Sequence, residues 1–268
     1  MIEASFIRAV FGTLAVALLS VAAVFAQMRY EKLVVDRGKV FSYDIQSDIL
    51  VADTLILRDS AVIKLNPLRS ENIIRAKVIR VEGRAFIIGN GQNGQQGRNG
   101  RPGTSGQGPC RDGGPGLQAQ NGLAGVNGTN LVMYCDNLII NKQLVINLMG
   151  GNGGNGGNGG AGGEGSQGTV HCNGGNGGNG GDGGRGGGGG QGGNFIFQGP
   201  HALSVKEELG KKLIIANDGG QPGRGGMGGL GGPAGLGPNR KKGKYGLAGA
   251  EGAMGTRGKP GTITFRTN

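Results

Sequence analysis

Residues 150–168, with the sequence GGNGGNGGNGGAGGEGSQG, carry glycine at every third position and usually a second glycine after it. The same pattern resumes over residues 174–192, after an interruption at residues 169–173. A strict three-residue repeat fits an extended left-handed helix with a rise of about 3.1 Å per residue. Because such a helix has no internal hydrogen bonds, its amides must bond to neighbouring segments or to water.

Three interpretations of this repeat remain open. A collagen triple helix uses proline-rich triplets, whereas residues 150–193 contain no proline. A flexible glycine-rich linker would leave its amides to water. Polyglycine II packs three-fold helices side by side through backbone hydrogen bonds, and it suits Gly-Gly-Asn triplets because two of the three helix faces carry no side chain. We therefore predict polyglycine II helices, with Asn152, Asn155 and Asn158 in a row on the third face.

The remaining composition does not provide a conventional hydrophobic interior. Of the 268 residues, 64 are glycine and none is tryptophan. The chain has eight phenylalanines and four tyrosines. A domain of this length ordinarily buries a large aliphatic and aromatic core. We therefore expect the ordered structure to depend largely on backbone hydrogen bonds. The net charge of +11 favours anionic surfaces as partners.

The first 26 residues have the features of a secretory signal peptide. Arg8 precedes an apolar run over residues 9–25, and Val24-Phe25-Ala26 forms a small-residue cleavage site. An uncleaved membrane anchor is the alternative, although the run is slightly short for crossing a bilayer. Cleavage would remove one acidic and one basic residue, Glu3 and Arg8, so the exported chain keeps its charge of +11. Export also makes nucleic acid an unexpected partner.

β-Branched residues cluster between the glycine tracts. Residues 53–65 have the pattern of two short strands joined by a turn, and residues 136–148 repeat it. This recurrence indicates the stacked rungs of a β-solenoid, although a β-sandwich remains possible. Three times a predicted strand leads into a glycine tract that returns to another strand. These tracts cover residues 89–128, 150–193 and 219–261.

Each tract is interrupted near its midpoint, as a long hairpin requires. The interruptions are at residues 109–112, 169–173 and 238–242. The predicted fold class is therefore mostly β, with a solenoid-like or sandwich base and a polyglycine-II helix bundle made of three long Gly-rich hairpins. The predicted domains are a signal peptide (1–26), a β-rich base (27–88), a region of three hairpins (89–261) with intervening strands at 129–149 and 194–218, and a final strand (262–268).

The repeats resemble three groups of proteins. Gly174-Gly175-Asn176-Gly177-Gly178-Asn179 is similar to the repeats of the six-helix glycine-rich antifreeze proteins of springtails. It also resembles the glycine-rich tip adhesins of T-even phage tail fibres, in which loops at the bundle end touch a receptor. Strands followed by Gly-X-Y tracts resemble exported bacterial collagen-like surface proteins. The likeness covers residues 89–261 and concerns the type of repeat, not aligned motifs.

Three cysteines in an exported chain predict one disulfide and one remaining thiol. Cys110 and Cys172 both lie at interruptions, so they meet if the hairpins stack in register. We predict the disulfide Cys110–Cys172, with Cys110–Cys135 as the rival pairing. Because Cys135 lies at the start of a strand, we expect it to be a buried thiol.

Motifs for catalysis or cofactor binding are weak. His171 and His201 are far apart and have no clear partners for a triad, and His171 beside Cys172 lacks the other ligands of a zinc site. We therefore predict no enzyme, no metal and no cofactor.

The third interruption is the best candidate for binding. It carries four cations next to Tyr245, although a solvated loop would have the same composition. The candidate partner-binding residues at the far tip are Arg111, His171, Arg240, Lys241, Lys242, Lys244 and Tyr245. The expected function is that of a secreted, non-enzymatic structural or adhesive surface protein. Its partner would be an anionic cell-surface glycan, a lipid headgroup or another surface protein. An ice-binding protein and a collagen-like trimeric stalk are the alternatives, and the oligomeric state stays open.

Overall fold

The computed structural model of this chain describes residues 26–238 and 241–267. The predicted signal peptide, apart from Ala26, and the predicted tip residue Arg240 lie outside the described residues. The elements in chain order are β1 (Ala26–Val35), β2 (Val40–Ser42), β3 (Ser47–Leu57), β4 (Val62–Lys64), β5 (Glu71–Val81), β6 (Arg84–Ile88), β7 (Asn130–Ile140), β8 (Gln143–Asn147), β9 (Phe195–Gln198), α1 (Ala202–Glu207), β10 (Leu213–Ala216) and β11 (Ile263–Arg266).

These strands form two sheets in which every pair is parallel. The odd-numbered strands make the long sheet, in the order β1-β3-β5-β7-β9-β11. The even-numbered strands make the short sheet, in the order β10-β8-β6-β4-β2. The chain therefore passes from one sheet to the other after every strand, and each return adds one strand beside the previous one. This alternation explains why similar strand patterns recur along the sequence.

Apolar side chains of the two sheets meet in the core between them. On β5 the buried residues alternate with more exposed ones until the pattern shifts between Ala76 and Ile79. At this shift the strand pairing skips Asp53 and Lys77, and the Lys77 Nζ lies 3.1 Å from the Asp53 Oδ1. The long strands therefore bend at the same level, which keeps apolar residues pointing inward on both sides of the bend. One inward-facing row crosses the long sheet through Leu50, Ile74, Met133, Phe197 and Phe265.

The first connections from the short sheet to the long sheet are brief. The turn between β4 and β5 is fixed by buried Asn66, whose Nδ2 donates to the carbonyl oxygens of Ile45 and Ser47 at 2.8 and 2.9 Å. The Asn72 Oδ1 accepts a hydrogen bond from the Asn66 backbone N–H at 2.7 Å. After β6, β8 and β10, a glycine tract makes the connection from the short sheet to the long sheet.

The predicted fold class is wrong. We predicted a solenoid-like or sandwich base that carries a polyglycine-II bundle of three long hairpins. The structure is instead a fold of two parallel sheets, and the only helix among the described residues is the short α1. The glycine tracts are long connections between these sheets, after β6, β8 and β10. Strand pairing between residues far apart in sequence decided the architecture, and the periodicity of the tracts does not report on that pairing.

We divide the described tracts into six glycine segments, because each tract turns back at its interruption. Segments S1 (residues 89–107) and S2 (111–128) connect β6 to β7; S3 (149–168) and S4 (174–193) connect β8 to β9; S5 (218–237) and S6 (241–261) connect β10 to β11. Their backbones are joined by hydrogen bonds at every third residue. S3 illustrates the pattern: the N–H of Gly153 donates to the Gln221 carbonyl in S5, and the N–H of Gly154 donates to the Leu123 carbonyl in S2, both at 2.9 Å.

The six segments lie in two layers that continue the two sheets. S1, S3 and S5 follow strands of the short sheet and bond to one another in parallel register. S2, S4 and S6 lead into strands of the long sheet, and they also bond to one another in parallel register. Bonds between the layers are antiparallel, as in Gly187 N–H to Gly154 O at 2.8 Å. Most glycine N–H groups of the tracts therefore have partners within the chain, which offsets the large entropy cost of ordering glycine.

The cysteines occupy the predicted positions. Cys110 and Cys172 form a disulfide, and Cys135 is a free, buried thiol with 3% of its surface exposed. Burial raises the pKa of the Cys135 thiol to about 11. A thiol that is both protonated and inaccessible reacts slowly.

We expect a thiol reagent at pH 8 to detect no thiol in the native protein and one per chain after unfolding without reductant. A reagent-accessible thiol in the native state would contradict the burial of Cys135. Three thiols after unfolding would contradict the disulfide. Unfolding in the presence of reductant is the control, and it should release all three.

Candidate functional site

The ends of the segments away from the sheets form the tip, which consists of residues 108–112, 169–173, 238 and 241–245. Backbone hydrogen bonds help the disulfide to hold its loops together. The Cys110 N–H donates to the Gln167 carbonyl at 2.8 Å. The N–H groups of Gly168 and Gly174 donate to the carbonyl oxygens of Leu236 and Lys241, at 2.7 and 2.9 Å. All three interruptions of the sequence therefore meet at one end of the molecule.

Hydrogen bonds to hydroxyl groups shape the first two loops. The chain reverses at Gly108 and Cys110, whose φ angles are +82° and +61°. After this reversal the Arg111 N–H donates to the Ser166 Oγ at 2.7 Å. In the second loop the Thr169 Oγ1 accepts from the His171 N–H at 3.2 Å. These hydroxyl contacts fix the backbone on which Arg111 and His171 stand.

The tip displays positive charge to solvent. Lys241, Lys242 and Lys244 are exposed, and Arg111 and His171 are exposed on the neighbouring loops. The Lys242 Nζ lies 5.9 Å from the centre of the Tyr245 ring, a cation–π distance. The four ion pairs found among the described residues all join side chains of the sheets and their turns. The tip cations therefore keep their charge available for an anionic partner.

One carboxylate lies close to these cations. The Asp112 Oδ1 accepts a hydrogen bond from the Asn176 N–H at 2.6 Å, and its Oδ2 lies 3.4 Å from the Asn176 Nδ2. This carboxylate is therefore engaged with the backbone of S4. The exposed cations Arg111, Lys241, Lys242 and Lys244 outnumber this one carboxylate, so the tip side chains have an excess of positive charge.

The partner-binding role of the tip residues stays a prediction, whereas the disulfide can be compared with the structure directly. The predicted Cys110–Cys172 disulfide is confirmed, and the structure brings Arg111, His171 and the third loop together. Arg240 lies outside the described residues. The sequence missed Ser166 and Thr169, whose hydroxyl groups bond to the loop backbones. Thr169 begins the interruption at residues 169–173 and Ser166 lies three residues before it. This position was the available signal, because short polar side chains commonly bond to nearby backbone in turns.

The asparagine row has a structural role that the sequence did not suggest. The Oδ1 atoms of Asn152, Asn155 and Asn158 accept from backbone N–H groups of S5, at 2.8, 2.9 and 3.0 Å. In the other layer the Oδ1 atoms of Asn176 and Asn179 accept from N–H groups of S6, at 2.8 and 2.9 Å. Without the asparagine side chains, these backbone N–H groups of S5 and S6 would point to solvent and have no acceptor in the protein. The asparagines therefore join neighbouring segments within a layer.

Among residues 26–238 and 241–267, no cluster of three or more His, Cys, Asp or Glu side chains is placed to hold a metal. In the same residues we found no helix with the length and apolar character needed to span a bilayer. The chain matches no protein-family model, no curated protein and no solved structure.

Proposed function

We propose that this chain is an exported, non-enzymatic surface protein whose cationic tip adheres to an anionic surface. The observation that carries this proposal is the exposed cluster of Lys241, Lys242, Lys244 and Arg111, which has no ion pair within the described chain. Such a cluster attracts an anionic surface over a distance set by the salt concentration. Glycans and lipid headgroups with phosphate or carboxylate groups are the matching partners.

The position of the cluster supports adhesion. The glycine segments are about twenty residues long, so in extended form they would reach on the order of 60 Å from the sheets. Hydrogen bonds link each segment to its neighbours, and the disulfide ties the first two loops together. The cations are therefore held at the far end of an ordered double layer. An intramolecular disulfide also fits an oxidising, extracellular environment.

The two alternative functions draw less support from the contacts. Ice binding would use the asparagine row, but the Oδ1 atoms of that row bond to backbone N–H groups of the next segment. A trimeric collagen-like stalk would need the glycine N–H groups to bond to sister chains. In S3 and S4 most of those groups bond to carbonyl oxygens of the same chain. We therefore favour adhesion.

The test is a triple substitution at the tip. We expect Lys241→Ser/Lys242→Ser/Lys244→Ser to weaken binding to vesicles that contain phosphatidylglycerol, by about tenfold or more at about 0.05 M salt and less at about 0.15 M salt. Immobilised acidic polysaccharide serves as a second probe, which separates a glycan partner from a lipid partner.

The matched control removes the same charge from the other end of the molecule. Lys206, Lys211 and Lys212 are exposed near α1 and the start of β10, so Lys206→Ser/Lys211→Ser/Lys212→Ser changes the net charge equally. If both triple variants lose binding to the same extent, net charge is responsible and the tip is not the site. If neither loses binding, the proposal fails.

A further inference from the structure

Exposed apolar side chains are concentrated on three of the six glycine segments. Sixteen large apolar side chains are exposed in the described chain, and nine of them lie on S2, S5 and S6. They are Leu117, Leu123 and Val126 on S2, Met227, Leu230 and Leu236 on S5, and Tyr245, Leu247 and Met254 on S6. S2 borders one edge of the double layer, and S5 and S6 form the other edge. Both edges therefore expose apolar side chains, while the middle segments S3 and S4 carry mainly glycine and polar residues.

Two of these apolar residues, Met227 and Leu247, replace residues that join segments in the middle of the layers. On S3, Asn158 reaches the Met227 N–H of S5 at 3.0 Å, and on S4, Asn179 reaches the Leu247 N–H of S6 at 2.9 Å. Met227 and Leu247 stand at the equivalent positions of the last segments, where no further segment follows. Met227 and Leu247 therefore expose apolar side chains at positions where S3 and S4 carry an asparagine that bonds to the next segment.

The backbone of one edge offers carbonyl groups. In S1 the carbonyl oxygens of Asn93, Gln96 and Asn99 accept no hydrogen bond from the described residues. The equivalent positions of S3, such as Asn152 and Asn155, accept bonds from S1. We call the edge formed by S1 and S2 the acceptor edge.

The backbone of the opposite edge offers N–H groups. In S5 the N–H groups of Gly225, Gly228 and Gly231 find no acceptor within residues 26–238 and 241–267. Their equivalents in S3, such as Gly153 and Gly156, donate to S5. We call the edge formed by S5 and S6 the donor edge. The two edges of one molecule are therefore complementary in hydrogen bonding, and both expose apolar side chains with a three-residue spacing.

We propose that a second copy of this chain docks its acceptor edge on the donor edge of the first. Contact between two different surfaces of identical molecules is heterologous, so it leaves a free edge at each end and continues into a chain of molecules. Apolar patches of this kind on a soluble surface commonly mark interaction sites. Leu123 and Leu230 are the residues we assign to the centres of the two edges.

The sheets restrict the orientation of the second copy. The turn at Pro67 and Leu68 projects beside the acceptor edge and borders a cleft of about 340 Å³ with Val126 and Asn127. With both tips in the same direction, β11 of the first copy would lie beside β7 of the second, where β5 of the second already lies. Copies with opposed tips keep their sheets apart, and antiparallel bonding already joins the two layers within one molecule.

Sedimentation velocity of the purified protein over a wide concentration range tests the proposal. We expect the wild type to form concentration-dependent oligomers, and Leu123→Lys or Leu230→Lys to weaken self-association by about 100-fold each, because a lysine at the centre of an apolar contact loses its hydration. Leu203→Lys on α1 is the matched control, since Leu203 is exposed to a similar extent at 66%. It should associate like the wild type.

Mixing the two edge variants distinguishes the proposal from other arrangements. Each variant keeps one intact edge, so an equimolar mixture should form dimers that do not extend further. The proposal is overturned if the wild type stays monomeric, if Leu230→Lys acts while Leu123→Lys does not, or if the mixture forms no dimer. Thermal unfolding of each variant verifies that loss of association does not reflect loss of folding. This test is independent of adhesion at the tip.

Discussion

Replacing Gly187 by alanine should destabilise the protein by at least about 3 kcal/mol, whereas the same replacement at Gly188 should change stability by less than about 1 kcal/mol. A Cβ atom on Gly187 would overlap the backbone carbonyl of Leu123 in S2. Relief of that overlap requires S4 and S2 to separate, which also weakens the hydrogen bond from the Gly125 N–H to the Gly188 carbonyl. Backbone atoms cannot move aside as a flexible side chain can.

Gly188 is the matched control for this change. A Cβ atom at Gly188 would lie 3.2 Å from the Thr256 Oγ1 and 3.6 Å from the Thr256 carbonyl oxygen. A rotation of the threonine side chain relieves the closer contact. The loss of unfolded-state freedom that accompanies Gly→Ala offsets the small remaining cost. The two variants therefore differ in packing and not in residue type.

Chemical unfolding followed by circular dichroism measures both variants. Equal stability of Gly187→Ala and the wild type would show that S2 and S4 are not in contact at this level. A large loss in both variants would show that glycine is required for its backbone freedom at any position of the triplet. The valine variant Gly187→Val should exceed the alanine variant in effect, because a β-branched side chain adds more atoms to the same overlap.

The second large effect should come from the disulfide. We expect Cys110→Ser/Cys172→Ser to lose about 4 kcal/mol of unfolding free energy, because the crosslink closes a loop with a sequence separation of 62 residues. The chain-entropy account attributes this loss to the greater freedom of the unfolded chain. The native contact between the Cys110 N–H and the Gln167 carbonyl should persist in the variant.

Cys135→Ala serves as the control for the cysteine variants, since Cys135 is outside the disulfide. Its cost should be that of removing a small buried side chain. Reductant should destabilise the wild type and Cys135→Ala by similar amounts and leave the double variant unchanged. An unchanged stability of the double variant in the absence of reductant would contradict the predicted effect.

Some features of the molecule follow from local sequence alone. Alternating β-branched residues predicted the strands at residues 53–65 and 136–148, which the structure confirms as β3, β4, β7 and β8. Interruptions in the glycine repeat predicted the loop positions of Cys110 and Cys172 and their disulfide. These inferences succeed because backbone periodicity and turn residues act over a few positions.

Other features were inaccessible to local patterns. The parallel pairing of β5 with β7 joins residues on either side of the first glycine tract, 59 positions apart for Asn72 and Leu131. The fold class depended on this pairing and was predicted incorrectly. The role of Asn155 also depended on tertiary structure, because its acceptor function requires the Arg224 N–H of another tract.

The sequence by itself determined where this chain is extended, where it turns and which positions lack side chains. Only the tertiary structure decided which glycines are needed. Gly187 faces the Leu123 carbonyl of a neighbouring segment, whereas Leu123 occupies the equivalent position of S2, where no further segment follows. A side chain is tolerated wherever a segment has no neighbour, and the number of neighbours is set by the order in which the strands join the two sheets.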